Sequence, residues 1–349
     1  MPIHAIIGNP PYQVMDGGAG ASAIPIYNRF MEISKEVNPR FISLVMPARW
    51  YTGGRGLDTF RKMMLEDTCV EILHDYVDAH SVFSNVEIKG GICYFLWNKD
   101  WKKECKITTH VLDLEKPLTS IRFLKNEKDA SIFIRDPRIL KINESVANVR
   151  SRLKEQTFDT IVSSMKPYGL RGDFFKNPAK YKLPPTSNTP YPNGITIVGL
   201  NASQKRALRY VPHNYPIPNL EGVNTYKIFM PRNWGTGKLQ DSTYKTYLAK
   251  PYEICTETFV QVYPFSSVKE RDNCNLYMRT KFFRIMVSIK KQDQGAGREV
   301  YASVPLQNFT TNSDIDWTKP VSDIDRQLYH KYELKEEEIQ FIEENLKNI

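Results

Sequence analysis

Asn9-Pro10-Pro11-Tyr12, entered from the apolar run Ile6-Ile7-Gly8, is the stretch of this 349-residue chain with the most specific chemical content. Each proline fixes its own φ near about −65° and pushes the residue before it out of the helical region. The backbone after Gly8 is therefore extended and stiff before any substrate arrives. In such a turn the Asn9 side-chain oxygen and the Pro10 carbonyl can both accept from one planar NH2 group, drawing its nitrogen towards tetrahedral geometry and exposing a lone pair. Tyr12 adds a flat ring on which a heterocycle can stack, worth roughly 1–3 kcal/mol for a base. No acid, metal or nucleophilic side chain is required if the other reactant is an activated methyl donor, because positioning then supplies much of the rate. These residues describe methyl transfer to an exocyclic amine, with Pro11 serving either the reaction or only the conformation of the turn.

The elements around the turn alternate: strand 3–8, helix 25–37, strand 41–46, helix 57–66, strand 69–74, strand 91–97 and a further strand within 101–110. Alternation of this kind predicts an α/β fold with a partly parallel sheet. Helix 25–37 carries Ile26, Phe30, Ile33 and Val37 at helical spacing, a stripe expected to cover one sheet face. The run from Asp16 to Ala23 is a loop directly after the reaction turn, either a lid over a flipped base or a plain connector. Residues 135–164 read as helical and charged. Beyond Lys166 the chain fills with Pro, Gly, Asn and Tyr around short β-branched runs, 195–198, 226–230 and 257–262, which predicts a mostly β, loop-rich domain. A helix is expected over 274–288, carrying Arg279, Lys281 and Arg284, and an acidic amphipathic one over 335–348. There is no internal repeat.

The turn and its preceding strand resemble the corresponding motif of N6-adenine DNA methyltransferases, most closely the gamma-class enzymes of type II restriction-modification systems. Phe41 to Trp50, with Met46-Pro47-Ala48-Arg49, looks like that family's next strand and its proline-bearing exit. Val82-Phe83-Ser84-Asn85-Val86-Glu87-Ile88-Lys89-Gly90-Gly91, leading into Ile92 to Leu96, resembles the late motif in which an aromatic residue faces the target base. Lys166-Pro167-Tyr168-Gly169-Leu170 and Leu334 to Ile342 look like the opening and close of its target-recognition region. The resemblance implies a partial class I (Rossmann-like) methyltransferase sheet over 1–112, a helical connector over 113–165 and a DNA-binding target-recognition domain over 166–349. It implies catalysis by Asn9, Pro10, Pro11 and Tyr12, base stacking by Tyr12 and Phe83, and S-adenosyl-L-methionine as cofactor, touched here by Asn9 and Pro10. A methyltransferase must extrude its target base, and two flanking aromatics offset that unstacking.

The family's glycine-rich turn for the methyl donor would precede Asn9, where only eight residues stand. Trp234-Gly235-Thr236-Gly237-Lys238 does not replace it, since it lacks the phosphate-loop spacing and leads into no clear helix. His4 also departs from the Asp common in that strand. The expectation is a methyl-donor half, or a restriction subunit, on a separate polypeptide, or a chain that is itself a fragment. Two rival readings stand beside this one. The chain could be a non-catalytic DNA-binding remnant or specificity module; or Asp78 with Glu87 and Lys89 could form a metal-nuclease signature.

Composition sets the frame. Hydrophobic content of 41% and charged content of 25% are ordinary for a globular protein, no run approaches a membrane span, and no signal peptide opens the chain, so the expected compartment is the cytoplasm. Cysteines 69, 93, 105, 255 and 274 show no paired spacing, and no metal site is expected. The net charge of +9 is concentrated: residues 151–300 carry 23 Lys or Arg against 11 Asp or Glu, whereas residues 301–349 carry 5 against 10. A basic middle with interleaved aromatics is the footprint of a phosphate-binding surface, and double-stranded DNA is the expected partner. Lys89, Arg232, Trp234, Lys238, Arg279 and Lys281 are the candidate DNA contacts.

Overall fold

The computed structural model describes residues 3–15, 23–52, 56–84, 88, 90–112, 114–126, 131–235, 239, 244–291 and 294–349. The chain divides into two compact units, 1–141 and 142–349. The expected loop over 16–23 lies outside the described residues except for its last residue, as do Glu87, Lys89 and Lys238.

The first unit is a six-stranded mixed sheet with helices on one face. β1 (Ala5–Gly8), β4 (Phe41–Pro47), β6 (Ile92–Asn98), β5 (Val70–Tyr76), β7 (Cys105–His110) and β8 (Leu118–Arg122) neighbour one another in that order. β1 pairs parallel with β4 and β5 parallel with β7, while β6 runs antiparallel to both β4 and β5. β1, β4, β5 and β7 therefore all end at the same end of the sheet, where β6 begins. The last strand, β8, comes from the segment expected to be connector.

Side-chain alternation along these strands decides which face is covered. Ile42, Leu44 and Met46 of β4 and Phe95 and Trp97 of β6 share one core with residues of two helices, α1 (Tyr27–Glu36) and α2 (Asp58–Glu66). From α1 that core takes Tyr27 and Met31, and from α2 Phe60, Met64 and Leu65. The stripe expected to cover the sheet is thus the wrong one: Phe30, Ile33 and Val37 are 40%, 55% and 44% exposed. α1 has two apolar faces, and the one bearing Tyr27 and Met31 docks. Opposite the helices, Ile7 of β1 is 82% exposed, and among the described residues β1 has a partner strand on one side only.

In the second unit the long helix α3 (Pro137–Leu153), which starts at the end of the first, leads to two three-stranded sheets. β10 (Arg206–Val211), β9 (Ile195–Leu200) and β13 (Glu253–Cys255) form one; β12 (Tyr247–Ala249), β11 (Tyr226–Pro231) and β14 (Phe259–Phe265) form the other. The remainder combines helices with long irregular stretches such as 163–194, so the domain is loop-rich as expected, but helix exceeds strand in it, which corrects the expectation that it is mostly β. The helix expected over 274–288 is two: α4 (Val268–Arg279) and α5 (Lys281–Ser288). Thr280 breaks them, because its extended backbone and its Oγ1, which accepts from Phe283 N at 3.0 Å, make it the N-cap of α5. α6 (Val321–Lys331) was not foreseen, and α7 (Glu336–Asn345) matches the expected acidic helix, with Glu336, Glu337 and Glu338 in its first turn.

Candidate active site

Asn9 leaves the end of β1 directly into the two prolines; Pro10 is buried and Asn9 and Pro11 are exposed. Tyr12 is half-buried, and its carbonyl accepts from Ile26 N at 3.1 Å, fastening the far side of the turn to the residue before α1. Between them a short hairpin, β2 (Gln13–Met15) and β3 (Ala23–Pro25), closes the excursion. Burial raises the Tyr12 hydroxyl pKa, and the neighbouring Asn9 side chain opposes the rise. Asn9 and Tyr12 are thus presented together at the end of β1.

Three other chain segments emerge at the same end. β4 passes through Pro47 into the 3-10 turn Ala48–Tyr51, and β5 passes into the 3-10 turn Ala79–Ser81 and then Phe83, whose N–H bonds to Ala79 O at 2.8 Å. Phe83 is half-buried. β6 starts from Gly90-Gly91, with Gly91 O accepting from Ala48 N at 2.9 Å. Gly91 has φ +83°, and a Cβ there would run into the Tyr76 and Val77 carbonyls, so only glycine fits.

Arg135 ties this end of the sheet together. Its Nε and Nη2 bond the two oxygens of buried Asp75 at 2.7 and 2.5 Å, its Nη1 bonds Gly90 O at 2.8 Å, and its guanidinium lies 5.2 Å from the centre of the Tyr51 ring. One side chain thus links the end of β5, the entry to β6 and the exit of β4. Sequence reasoning missed it; no motif marks an arginine some 60 residues from its carboxylate. Beneath the turn the Tyr12, Tyr27 and Tyr51 hydroxyls and the Trp50 indole N–H are buried, with no hydrogen-bond partner among the described residues. Cys93, on the core face of β6, sits among them, and burial pushes its thiol up to about 12, so it is no nucleophile.

Other candidates are placed differently. Lys281 is buried, its Nζ held by Glu343 at 2.5 Å, and Trp234 is buried with Lys291 Nζ 4.2 Å over its ring and Tyr244 against it. Neither presents itself to a duplex, which corrects both as DNA contacts: each is consumed by packing within its own unit. Arg279 is exposed and donates to Ile349 O at 2.8 Å, and Arg232 is half-exposed. Lys89 and Lys238 lie outside the described residues. Asp78, the first member of the nuclease signature, caps the turn that follows it, accepting from His80 N at 2.9 Å and pairing with the His80 ring. Among the described residues no three His, Cys, Asp or Glu side chains gather as a metal site, and no helix is long and apolar enough to cross a membrane.

Residues 1–83 match the family model of the Eco57I restriction-modification methylase. A curated protein of Mycoplasma pneumoniae (strain ATCC 29342 / M129 / Subtype 1), described as an uncharacterized adenine-specific methylase, is 30% identical over 112 residues, 31% of this chain and 26% of that protein. Among solved structures, the Type IIL restriction-modification enzyme MmeI in complex with DNA aligns with 98% of this chain and 56% of its own, at a TM-score of 0.51 and 11% identity, a likeness of fold alone. The match covers about a quarter of the curated relative, and the chain spans just over half of MmeI. The resemblance to adenine methyltransferases of restriction-modification systems, first drawn from the Asn-Pro-Pro-Tyr turn, is upheld by these matches.

Proposed function

We propose that this chain carries the adenine-binding part of a site-specific DNA N6-adenine methyltransferase of a restriction-modification system. The observation that carries the reading is the position of the Asn-Pro-Pro-Tyr turn: it leaves a parallel strand at the sheet end where β4 and β5 also emerge, within the residues that match the Eco57I family. A target adenine flips from the duplex and stacks on Tyr12, with Phe83 as the second wall. The Asn9 Oδ1 and the Pro10 carbonyl accept the N6 hydrogens and turn the nitrogen lone pair outward. Bound S-adenosyl-L-methionine would supply an electrophilic methyl on sulfonium. Asn9 and Pro10 would hold N6 with its lone pair facing that methyl, and the proton N6 sheds on methylation would pass to solvent.

The residues present fit only one side of the methyl donor, Asn9 and Pro10 at the end of β1. In folds of this class the ligand lies at the carboxyl ends of adjacent parallel strands. The rest of the pocket therefore belongs beyond the free edge of β1, on a further segment or another polypeptide that extends a class I sheet. Two features support that: among the described residues no strand pairs with the outer edge of β1, which bears exposed Ile7, and α1 presents the exposed stripe Phe30, Ile33 and Val37. An exposed apolar edge of this kind marks an interaction site. Double-stranded DNA is held by the basic second unit, with Arg232, Arg279 and, from the sequence, Lys238 among its contacts, and Lys89 contributes from the first unit.

Isothermal titration of S-adenosyl-L-methionine tests the division. Binding by the chain only in the presence of the product of the adjacent upstream reading frame is the expected result. Binding by neither the chain nor the mixture, together with salt-sensitive DNA affinity, would leave a non-catalytic DNA-binding module instead.

A further inference from the structure

Within the second unit a cleft of about 750 Å³ opens between the β9–β10 turn, the end of β11, the segment before β12 and the β13–β14 turn. Its lining includes three cations, Arg206, Arg232 and Lys245, two amides, Gln204 and Asn233, and one carboxylate, Glu257. The carboxylate is already engaged: Glu257 accepts from Gly172 N at 2.9 Å and lies 3.4 Å from Lys166 Nζ. The cleft is therefore electropositive.

Its cations are held in different ways. The Arg206 guanidinium lies over the Tyr247 ring, 5.4 Å from its centre, and donates to Lys245 O at 3.3 Å, which fixes its direction at the rim. Arg232 is anchored through its backbone, its N–H on Thr258 O at 2.9 Å and its carbonyl accepting from Ala296 N at 2.8 Å. Among the described residues its guanidinium takes no ion pair. Gln204 sits at a left-handed corner of the β9–β10 turn, φ 57°, closed by its own N–H on Asn201 O at 3.0 Å and by Lys205 N on Asn201 Oδ1 at 3.0 Å. The reading groups thus stand on a stiff turn and a pinned strand end.

A phosphate site needs donors only, whereas Gln204 and Asn233 add acceptors that a phosphate cannot use and a base edge can. Arginine pairs with guanine O6 and N7, and glutamine or asparagine with adenine N6 and N7. The volume is that of a small-ligand cleft, suited to one nucleotide unit rather than to a whole duplex. We propose that this cleft seats a nucleotide of one DNA strand, with Arg206 and Lys245 on its phosphates and Arg232, Gln204 and Asn233 on base edges. This rests on the reading of the chain as a DNA methyltransferase and goes beyond it by naming where sequence is read.

The test equilibrates the full chain with a pool of short duplexes randomised at their centre, over a series of salt concentrations, and quantifies and sequences the bound fraction. Arg206→Ala and Lys245→Ala should each weaken binding to all sequences and reduce the log–log salt slope by about 0.9. Arg232→Ala should leave most of the slope and relax selection at one base position by about 5- to 150-fold, the range of one base contact. Arg206→Gln, which keeps a donor for the Lys245 carbonyl, replaces the alanine variant if that melts early. Variants with wild-type melting, slope and selected motif would overturn the cleft while leaving DNA binding intact. A wild-type chain that retains no duplex at low salt would overturn the DNA reading itself.

Discussion

At the scale of single residues, the Tyr12 ring and its hydroxyl have separable roles. The buried hydroxyl meets no hydrogen-bond partner at full geometry among the described residues and lies beside the Asn9 side chain. Tyr12→Phe keeps the ring and should therefore preserve stacking and leave stability within about 1 kcal/mol of wild type in denaturant titration. Tyr12→Ala should lose the stacking platform, about 1–3 kcal/mol, read as a fall in affinity for duplexes carrying an extruded base. Arg135 tests the frame rather than the chemistry. Truncating it strands the Asp75 carboxylate in the core, and Arg135→Ala should cost about 3–5 kcal/mol of unfolding free energy in denaturant titration, whereas Arg135→Met with Asp75→Leu should recover much of it. The turn was legible in the sequence because two prolines dictate its shape locally. Lys281 and Trp234 were misjudged because nothing local says that Glu343 or Tyr244 will fold over them.

Among the elements, α1 shows how far periodicity reaches. Its helix was legible, and so was an apolar stripe; which of two apolar faces docks was not, because Phe30, Ile33 and Val37 and Tyr27 and Met31 both follow helical spacing. The break between α4 and α5 was missed for a related reason: apolar residues run on both sides of Thr280, and only its extended backbone and cap reveal two helices. That break gives Asp325 of α6 its setting. Its carboxylate accepts from the N–H groups of Lys281 and Phe282 at 3.1 and 2.8 Å at the start of α5, yet burial pushes its pKa up to about 6. A carboxyl raised in the folded state binds its proton more tightly there than when unfolded. Its contribution is therefore fully present below pH about 4 and is lost as pH rises through about 6. Over that window it amounts to at most about 3 kcal/mol. Asp325→Asn keeps an acceptor for the cap and should flatten that part of the stability–pH curve in thermal melts.

For the molecule as a whole, the alternating elements around the turn were legible as a partly parallel α/β sheet, while the edge at which it stops pairing was visible only in three dimensions. Placing a charge on the exposed stripe should separate assembly from folding: Ile33→Asp is expected to leave the melting temperature of the chain within a few degrees and to abolish the gain in S-adenosyl-L-methionine binding on adding the upstream product. An unaltered gain would remove that stripe from the interface. The basic middle region, by contrast, was legible as a regional surplus of lysine and arginine, though not as a cleft, because Arg206, Arg232 and Lys245 are brought together by strand ends far apart in sequence. The central claim, that this turn methylates adenine, is tested most directly by mass spectrometry of nucleosides. DNA would be incubated with S-adenosyl-L-methionine and the longest reading frame that contains these residues, co-expressed with its upstream neighbour in a host free of adenine methylation. N6-methyladenine with wild-type protein, and its loss with folded Asn9→Ala that still binds DNA, is the predicted result. Absence of N6-methyladenine with wild type, or its persistence in Asn9→Ala, would contradict the account.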